Sequence, residues 1–507
     1  MRSPTLIAAG LTLTLAPWIA GSGSGAGVRG VELGCLATAW LGGIERSLAS
    51  PIPRRQFGRV AGAMLLPAMI ALQLLLLGER FFVAPGSLAV AWLWAAVAAS
   101  GLLLAHVSRT KPPPNFLVTA FAATALAVVA LGFLQSANPR WIVASAGGAA
   151  YTISGGPKWL PHSISAEATF ELAVRWACLA LFAITLLQHV RHREHFLFLA
   201  TAIVASGALF SIVGILDRLP GSRFLGPGHG STQGGMGPFV ARGNFAACAN
   251  LALPLSLSLA ILPGFFAPGR SAAPRRMLTG AVAALLLGGL ALSGSRAGAL
   301  AALGTSTFLV ADAAIRRKPG APGKWRAALV FAAGCGAVVL VGGPNFLKSR
   351  FDVLFADASA AERLVAMEAA WEGWCDSPCW GNGLGTFRFL FDFYRPVDQQ
   401  AFYNHVHNDW LEALFDLGAV GAVPLIALVL GALAIAAWGR WSSPSPWRRS
   451  AASGILAACG GILLQALADY PLHLMPVQVA FVTLGASAVA LCRPPGKDLP
   501  PTTPLPR

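Results

Sequence analysis

Apolar stretches about twenty residues long recur from one end of this chain to the other, and they decide its fold class before any other feature. Each is long enough to cross the roughly 30 Å hydrocarbon core of a bilayer as a helix. The runs near 4–20, 31–48, 59–78, 86–106, 116–135, 168–188, 196–216, 243–264, 277–293, 297–314, 326–343, 411–437, 451–468 and 475–492 read as spans. They are continuous rather than alternating, which excludes a barrel. Of 507 residues, 55% are hydrophobic and 11% charged, against about 25% charged in soluble domains. The expected architecture is all-α: a polytopic transmembrane helix bundle of about 12–14 spans. The run 31–48 is the least apolar, because it holds Glu32, Glu45 and Arg46. Arg2, the apolar stretch to Ala20 and the Gly/Ser segment 21–27 are laid out like a signal peptide, and we read them as an uncleaved first helix.

The net charge is +16, yet the cations sit in short clusters between apolar runs and form no patch on a polar domain. That pattern marks topology and excludes a nucleic-acid partner. Alternate loops carry eighteen Lys and Arg, including Arg54, Arg109, Arg191, Arg275, Arg316, Arg440 and Arg449. The opposite short loops carry eight, including Arg29, Arg140, Arg218, Arg242 and Arg296. The positive-inside rule puts the first set, and both termini, in the cytoplasm. Loops 136–167, 217–242 and the long 344–410 then face outward. The chain divides into N-terminal spans (1–240), a core of spans (241–343), one large extracytoplasmic helical loop (344–410), C-terminal spans (411–492) and a Pro-rich cytoplasmic tail (493–507). No internal repeat is visible.

The long loop has its own pattern. Leu364, Val365, Met367, Ala370, Trp371 and Trp374 fall at helical spacing over 360–374, with Ser359 as the expected N-cap and Glu362 in the first turn. Pro378 and the glycines Gly381, Gly383 and Gly385 end that helix in a turn. A second amphipathic piece follows at Phe387–Tyr394, so the loop should form a cap whose aromatic face lies on the membrane surface. Six cysteines (Cys35, Cys178, Cys248, Cys335, Cys459, Cys492) sit in or beside apolar runs as packing residues. In an outward loop, Cys375 and Cys379 have the setting for a disulfide, subject to its geometry.

The loop closes on Asn404-His405-Val406-His407-Asn408-Asp409-Trp410-Leu411-Glu412, where polar side chains meet a span at the membrane surface. His407 and His405 are candidate general bases or donors to phosphate, since an imidazole titrates near neutrality. Asn408 or Asp409 can cap the following helix. Arg296 begins a span at Ser293-Gly294-Ser295-Arg296-Ala297-Gly298, and Arg242 begins another. Each is either an interfacial anchor or an anion clamp, because a guanidinium matches phosphate oxygens bidentately. Arg363 lies in the first turn of the loop helix, where it opposes the macrodipole. It either pairs with Glu362 or Glu368 or faces a ligand. The His-x-His pair has no evident third ligand, so no metal is expected. Gly381-Asn382-Gly383-Leu384-Gly385 follows no strand, so it is not read as a nucleotide loop. Glu171 and Arg175, spaced i, i+4, read as an ion pair.

Four blocks together resemble the O-antigen ligase and polymerase family of bacterial envelope glycosyltransferases. They are Arg242-Gly243-Asn244-Phe245-Ala246 leading to Leu253-Pro254; Ser293 to Gly298; Glu362-Arg363 through Pro378 to Gly381-Asn382-Gly383-Leu384-Gly385-Thr386-Phe387; and His405 to Glu412 with Gly418 and Gly421. The resemblance covers about 235–425. It implies transfer of a glycan from an undecaprenyl-pyrophosphate carrier to a glycan, lipid or protein acceptor. The reaction would take place at the outer face of a bacterial cytoplasmic membrane, without metal, nucleotide or other cofactor. In that family arginines hold the pyrophosphate and a loop histidine assists the acceptor. Carried onto this chain, these are Arg296, Arg363 and His407, with His405 as a second candidate and Arg242 as a further cation. The alternative from another class is a lipid-linked oligosaccharide flippase, which should place charges within its spans near the midplane. Here the polar inventory lies at the outer face, which favours the enzyme.

Overall fold

The structure, a computed structural model, describes residues 3–20, 25–48, 116–144, 151–155, 159–218, 235–266, 272–316, 358–396 and 403–492. The spans expected at 59–78, 86–106 and 326–343, Cys335 and the tail from Arg493 lie outside the described residues.

The described residues form a bundle of α-helices with one two-stranded hairpin. Its helices are α1 (Pro4–Ala20), α2 (Gly25–Leu48), α3 (Phe116–Ala137), α4 (Ala166–His189), α5 (Arg193–Leu216), α6 (Arg242–Ile261), α7 (Ala272–Ser293), α8 (Arg296–Ile315), α9 (Ala358–Asp376), α10 (Phe387–Tyr394), α11 (Asp409–Ser442), α12 (Pro446–Gln465) and α13 (Met475–Cys492). A 3₁₀ turn, Pro471–His473, precedes α13. Among the described residues, eight helices (α3 to α8, α11 and α13) are long and apolar enough to cross a membrane. Burial sorts them. The apolar window of α6 is 94% buried, at the centre, whereas that of α11 is 17% buried. An apolar helix left so bare needs an apolar solvent, and side chains such as Val423, Leu430 and Leu300 stand exposed on these outer faces.

Two features depart from the expectations. A β-hairpin, β1 (Arg140–Ala144) paired antiparallel with β2 (Tyr151–Gly155), stands where a plain loop was expected. Glu171 and Arg175 do not pair with each other. Arg175 Nε lies 3.3 Å from Glu32 Oε1, and Arg29 lies 3.3 Å from Glu171, so both carboxylates tie α4 to the start of α2. The pairing crosses helices because the poorly apolar α2 buries Glu32, which then needs a cation.

The helix ends sort by charge. At one end Thr5 donates to Glu45 (2.8 Å), Arg316 and Arg440 share Asp312 (3.0 and 2.6 Å), and Ser450 donates to the Pro263 carbonyl (2.8 Å). Phe196 stacks on Phe265 at 6.2 Å and brings the start of α5, with Arg191 and Arg193, to that same end. The starts of α2, α4, α6, α8, α11 and α13 lie at the other end, beneath α9 and α10.

The glycine-rich turn after α9 has a specific task. At Gly418 (φ +59°, ψ −176°) α11 is broken, which strands backbone groups on both sides of the break. Asn382 and Gly383 donate to the carbonyls of Phe415 and Asp416 (2.9 and 3.0 Å), and Ala419 and Val420 donate to those of Pro378 and Cys379 (2.8 and 3.1 Å). Gln135 from α3 adds donations to the Trp380 and Asp416 carbonyls (2.7 and 2.9 Å). The turn is thus a plug that completes a broken span, and it clamps the outer cap to the bundle. A Cβ at Gly418 would meet the backbone of Cys379 and Gly381. Gly418→Ala is therefore expected to cost at least about 1–3 kcal/mol, read as a lower thermal midpoint of the solubilised protein.

The cap helix begins at Ala358, so Ser359 lies inside its first turn and is not the N-cap, because the helix extends one turn-fraction further back than the apolar spacing showed. Trp371 on α9 and Phe389 and Phe393 on α10 are exposed. Cys375 and Cys379 are free, exposed thiols.

Candidate active site

Asn408 fixes where the histidine loop stops. Its Oδ1 accepts from the N–H groups of Trp410 and Leu411, both at 3.1 Å, and so caps α11. His407, just before it, has φ +58°, a left-handed conformation that non-glycine residues seldom adopt. Strain of this kind persists only where the surroundings hold it.

The holding is done from inside α11. Glu412 is buried, and both its oxygens reach back to the loop: Oε2 accepts from the Val406 N–H and Oε1 lies 2.9 Å from His405 Nδ1, the former also at 2.9 Å. Oε1 is also 3.2 Å from His473 Nε2. The other ring nitrogen of His473 lies 2.9 Å from Asp409 Oδ1, and Asp409 Oδ2 accepts from the Leu472 N–H at 2.8 Å. Asp409 is thus a partner of His473 rather than the helix cap. Burial alone would lower the pKa of His473. The carboxylates of Glu412 and Asp409 outweigh it and push the imidazole up to about 9.

Tyr470 sits between the two loop histidines. It stacks on His405 (centroids 4.6 Å apart, 21°) and meets His407 edge-on at 4.9 Å, with Tyr403 on the other side of His407 at 5.5 Å. His407 Nδ1 lies 3.6 Å from Asp469 Oδ1, an ion-pair separation longer than a hydrogen bond. Burial would raise the Asp469 carboxyl, but His407, Arg363 and the Tyr470 N–H hold it below its usual range. Gly243 allows that carboxylate its place, since a Cβ there would stand 2.7 Å from Asp469 Oδ2.

The arginines approach from three helices: Arg242 and Arg296 open α6 and α8, and Arg363 is the sixth residue of α9. Arg363 donates to the Ala468 carbonyl at 3.0 Å, beside Asp469, rather than pairing with Glu368. Arg296 opens α8 behind Ser295, whose Oγ accepts from the Gly298 N–H at 3.2 Å. Arg242 opens α6. The charges of Arg242 and Arg363 both bear on Arg296. Beneath them, Asn250 donates to the Gly298 carbonyl and to Gln465 Oε1, each at 3.0 Å, which locks α6, α8 and α12 together. The structure therefore brings Arg242, Arg296, Arg363, His405 and His407 to one end of the bundle. Arg242 and Arg296, each at a helix start, oppose the macrodipole, and the charges of Arg242 and Arg363 repel that of Arg296. An anion is what relieves that arrangement.

The expectation that the His-x-His pair lacks a third ligand is corrected. His405, Glu412 and His473 each bring one ligand atom within 4.8 Å of the others. The third partner escaped notice because His473 lies 68 positions beyond His405 and meets it only through the packing of α11 against α13. Asp469, Tyr470 and His473 were all missed by sequence reasoning. The available signal was Asp469-Tyr470-Pro471-Leu472-His473, a polar cluster between two spans on the same side as the long loop.

Residues 281–426 match the family model described as O-Antigen ligase. This segment is similar to an O-antigen ligase domain. It contains Arg296, Arg363, His405, His407 and Glu412, while Arg242, Asp469 and His473 join them from outside it. No curated protein matches the chain. The domain places the protein among glycan-transferring membrane proteins of the ligase and polymerase type.

Proposed function

We propose that this protein transfers a glycan from an undecaprenyl-pyrophosphate carrier to an acceptor hydroxyl at the outer face of a bacterial cytoplasmic membrane. The observation that carries the reading is the meeting of three arginines from three helices beside a strained, carboxylate-partnered histidine. Arg296 and Arg363, with Arg242 behind them, bind the diphosphate and stabilise the charge that grows on it as it leaves. His407, partnered by Asp469, takes the proton from the acceptor hydroxyl. The acceptor oxygen bonds to the anomeric carbon as the bond from that carbon to the carrier diphosphate breaks. The bonding pair leaves with the diphosphate and the configuration inverts. No metal, nucleotide or covalent glycosyl-enzyme takes part. The segments 241–343 and 344–410 supply the core and the site-bearing loop. The basic end of the bundle faces the cytoplasm, as the charge bias requires.

The test is turnover by the full chain in nanodiscs with a polyprenyl-diphosphate-linked glycan and a saccharide or lipid acceptor. Release of free carrier diphosphate with glycan bonded to the acceptor is the expected result. Glycan lengthened on the carrier itself would identify a polymerase within the same reading. In sealed vesicles, glycan that crosses the bilayer still joined to its carrier, with no new bond, would overturn the enzyme in favour of a flippase.

A further inference from the structure

The proposed chemistry uses Arg242, Arg296, Arg363, His407 and Asp469, yet the most heavily connected titratable groups at this end of the bundle are four others. Asp409, His473, Glu412 and His405 form one chain of contacts at 2.9, 3.2 and 2.9 Å. None of the four is placed on the diphosphate or the leaving group. Their geometry shows what they hold instead. Glu412 grips the loop at two successive residues, through the His405 ring and the Val406 N–H, immediately before the strained His407. On the far side Asn408 caps α11. The left-handed turn at His407 is thus pinned from both sides, and one of the pins is a carboxylate buried to 1% side-chain exposure. A buried carboxylate stays ionised only if cations or donors face it.

We propose that His473 is a positioning latch: its two ring nitrogens bridge Asp409 and Glu412, keep Glu412 gripping residues 405 and 406, and so hold His407 in its catalytic geometry. The inference rests on the reading of this pocket as the glycan-transfer site. The bridge runs 2.9 Å to Asp409 and 3.2 Å to Glu412, and the His405 ring lies 4.6 Å from that of His473. Without it, Glu412 would have only the His405 ring and the Val406 N–H to face its buried charge.

The test is a kcat-against-KM split with rescue, on the full chain in nanodiscs. His473→Phe keeps a ring and removes both nitrogens; it should lose about tenfold or more in kcat with an unchanged KM for the donor. His473→Lys, whose donors can face both carboxylates, should recover part of that loss. A residue that only fills space would show neither the loss nor the recovery. The proposal is overturned if His473→Phe keeps the wild-type kcat, if His473→Lys recovers nothing, or if the wild type binds one equivalent of zinc, added alone, that His473→Phe does not. In a protein that transfers no glycan, ¹⁵N signals of His405 and His407 that move together in His473→Phe and return in His473→Lys would leave the latch standing and remove the glycan-transfer reading instead.

Discussion

Arg296→Ala, at membrane levels matched to wild type, is expected to lower glycan transfer about 10²–10³-fold, the usual loss when one donor to a developing anion is removed. The effect should fall on kcat/KM, because the diphosphate carries charge before, and more charge during, its departure. Arg296→Lys should recover only part of the loss, since an ammonium is a point charge without the guanidinium fork. Transfer by Arg296→Ala equal to that of wild type at matched membrane levels would make Arg296 an interfacial anchor and sink its role at the diphosphate. Arg363→Ala should lower transfer likewise, and it also removes the donor to the Ala468 carbonyl and the cation that the Asp469 carboxylate faces.

His407→Asn is the second large effect, with an expected loss of about 10²–10⁴-fold in kcat and an unchanged KM for the donor. Asparagine is the informative replacement. It tolerates the left-handed region that His407 occupies at φ +58°, so the turn survives while the base is lost. The assay is turnover with saturating donor and acceptor, supported by carrier-linked glycan building up in cells. Full activity in His407→Asn would move the base to His405, whose Nδ1 is already directed at Glu412. Loss of activity in His405→Asn alone would then confirm the exchange of roles.

The helices among the described residues were legible because each is written locally. Twenty apolar residues state a helix wherever they stand, and alternate Arg-rich loops state which ends lie together. The Phe387–Tyr394 helix was found with its observed bounds for the same reason. The purpose of Gly381-Asn382-Gly383 was not legible. Its value lies in donating to carbonyls freed at a break in α11 more than thirty residues later, and nothing local announces that break beyond Gly418 itself. The partners of Arg175 were misassigned because an i, i+4 neighbour is always in view in a sequence, while Glu32 is 143 positions away.

The sequence by itself determined the class of solvent, the helical fold and the residue types that the fold gathers at one end of the bundle. The physical reason is that hydrophobic length, backbone satisfaction in lipid and charge bias act segment by segment. Only the tertiary structure decided which groups work together: Asp469 with His407, and His473 with Glu412 and Asp409. Those pairings depend on the turn between α12 and α13 packing beneath a loop some sixty residues earlier in the chain. The energy of a buried charge is set by what lies within a few ångströms of it in space, not by what lies beside it in the chain.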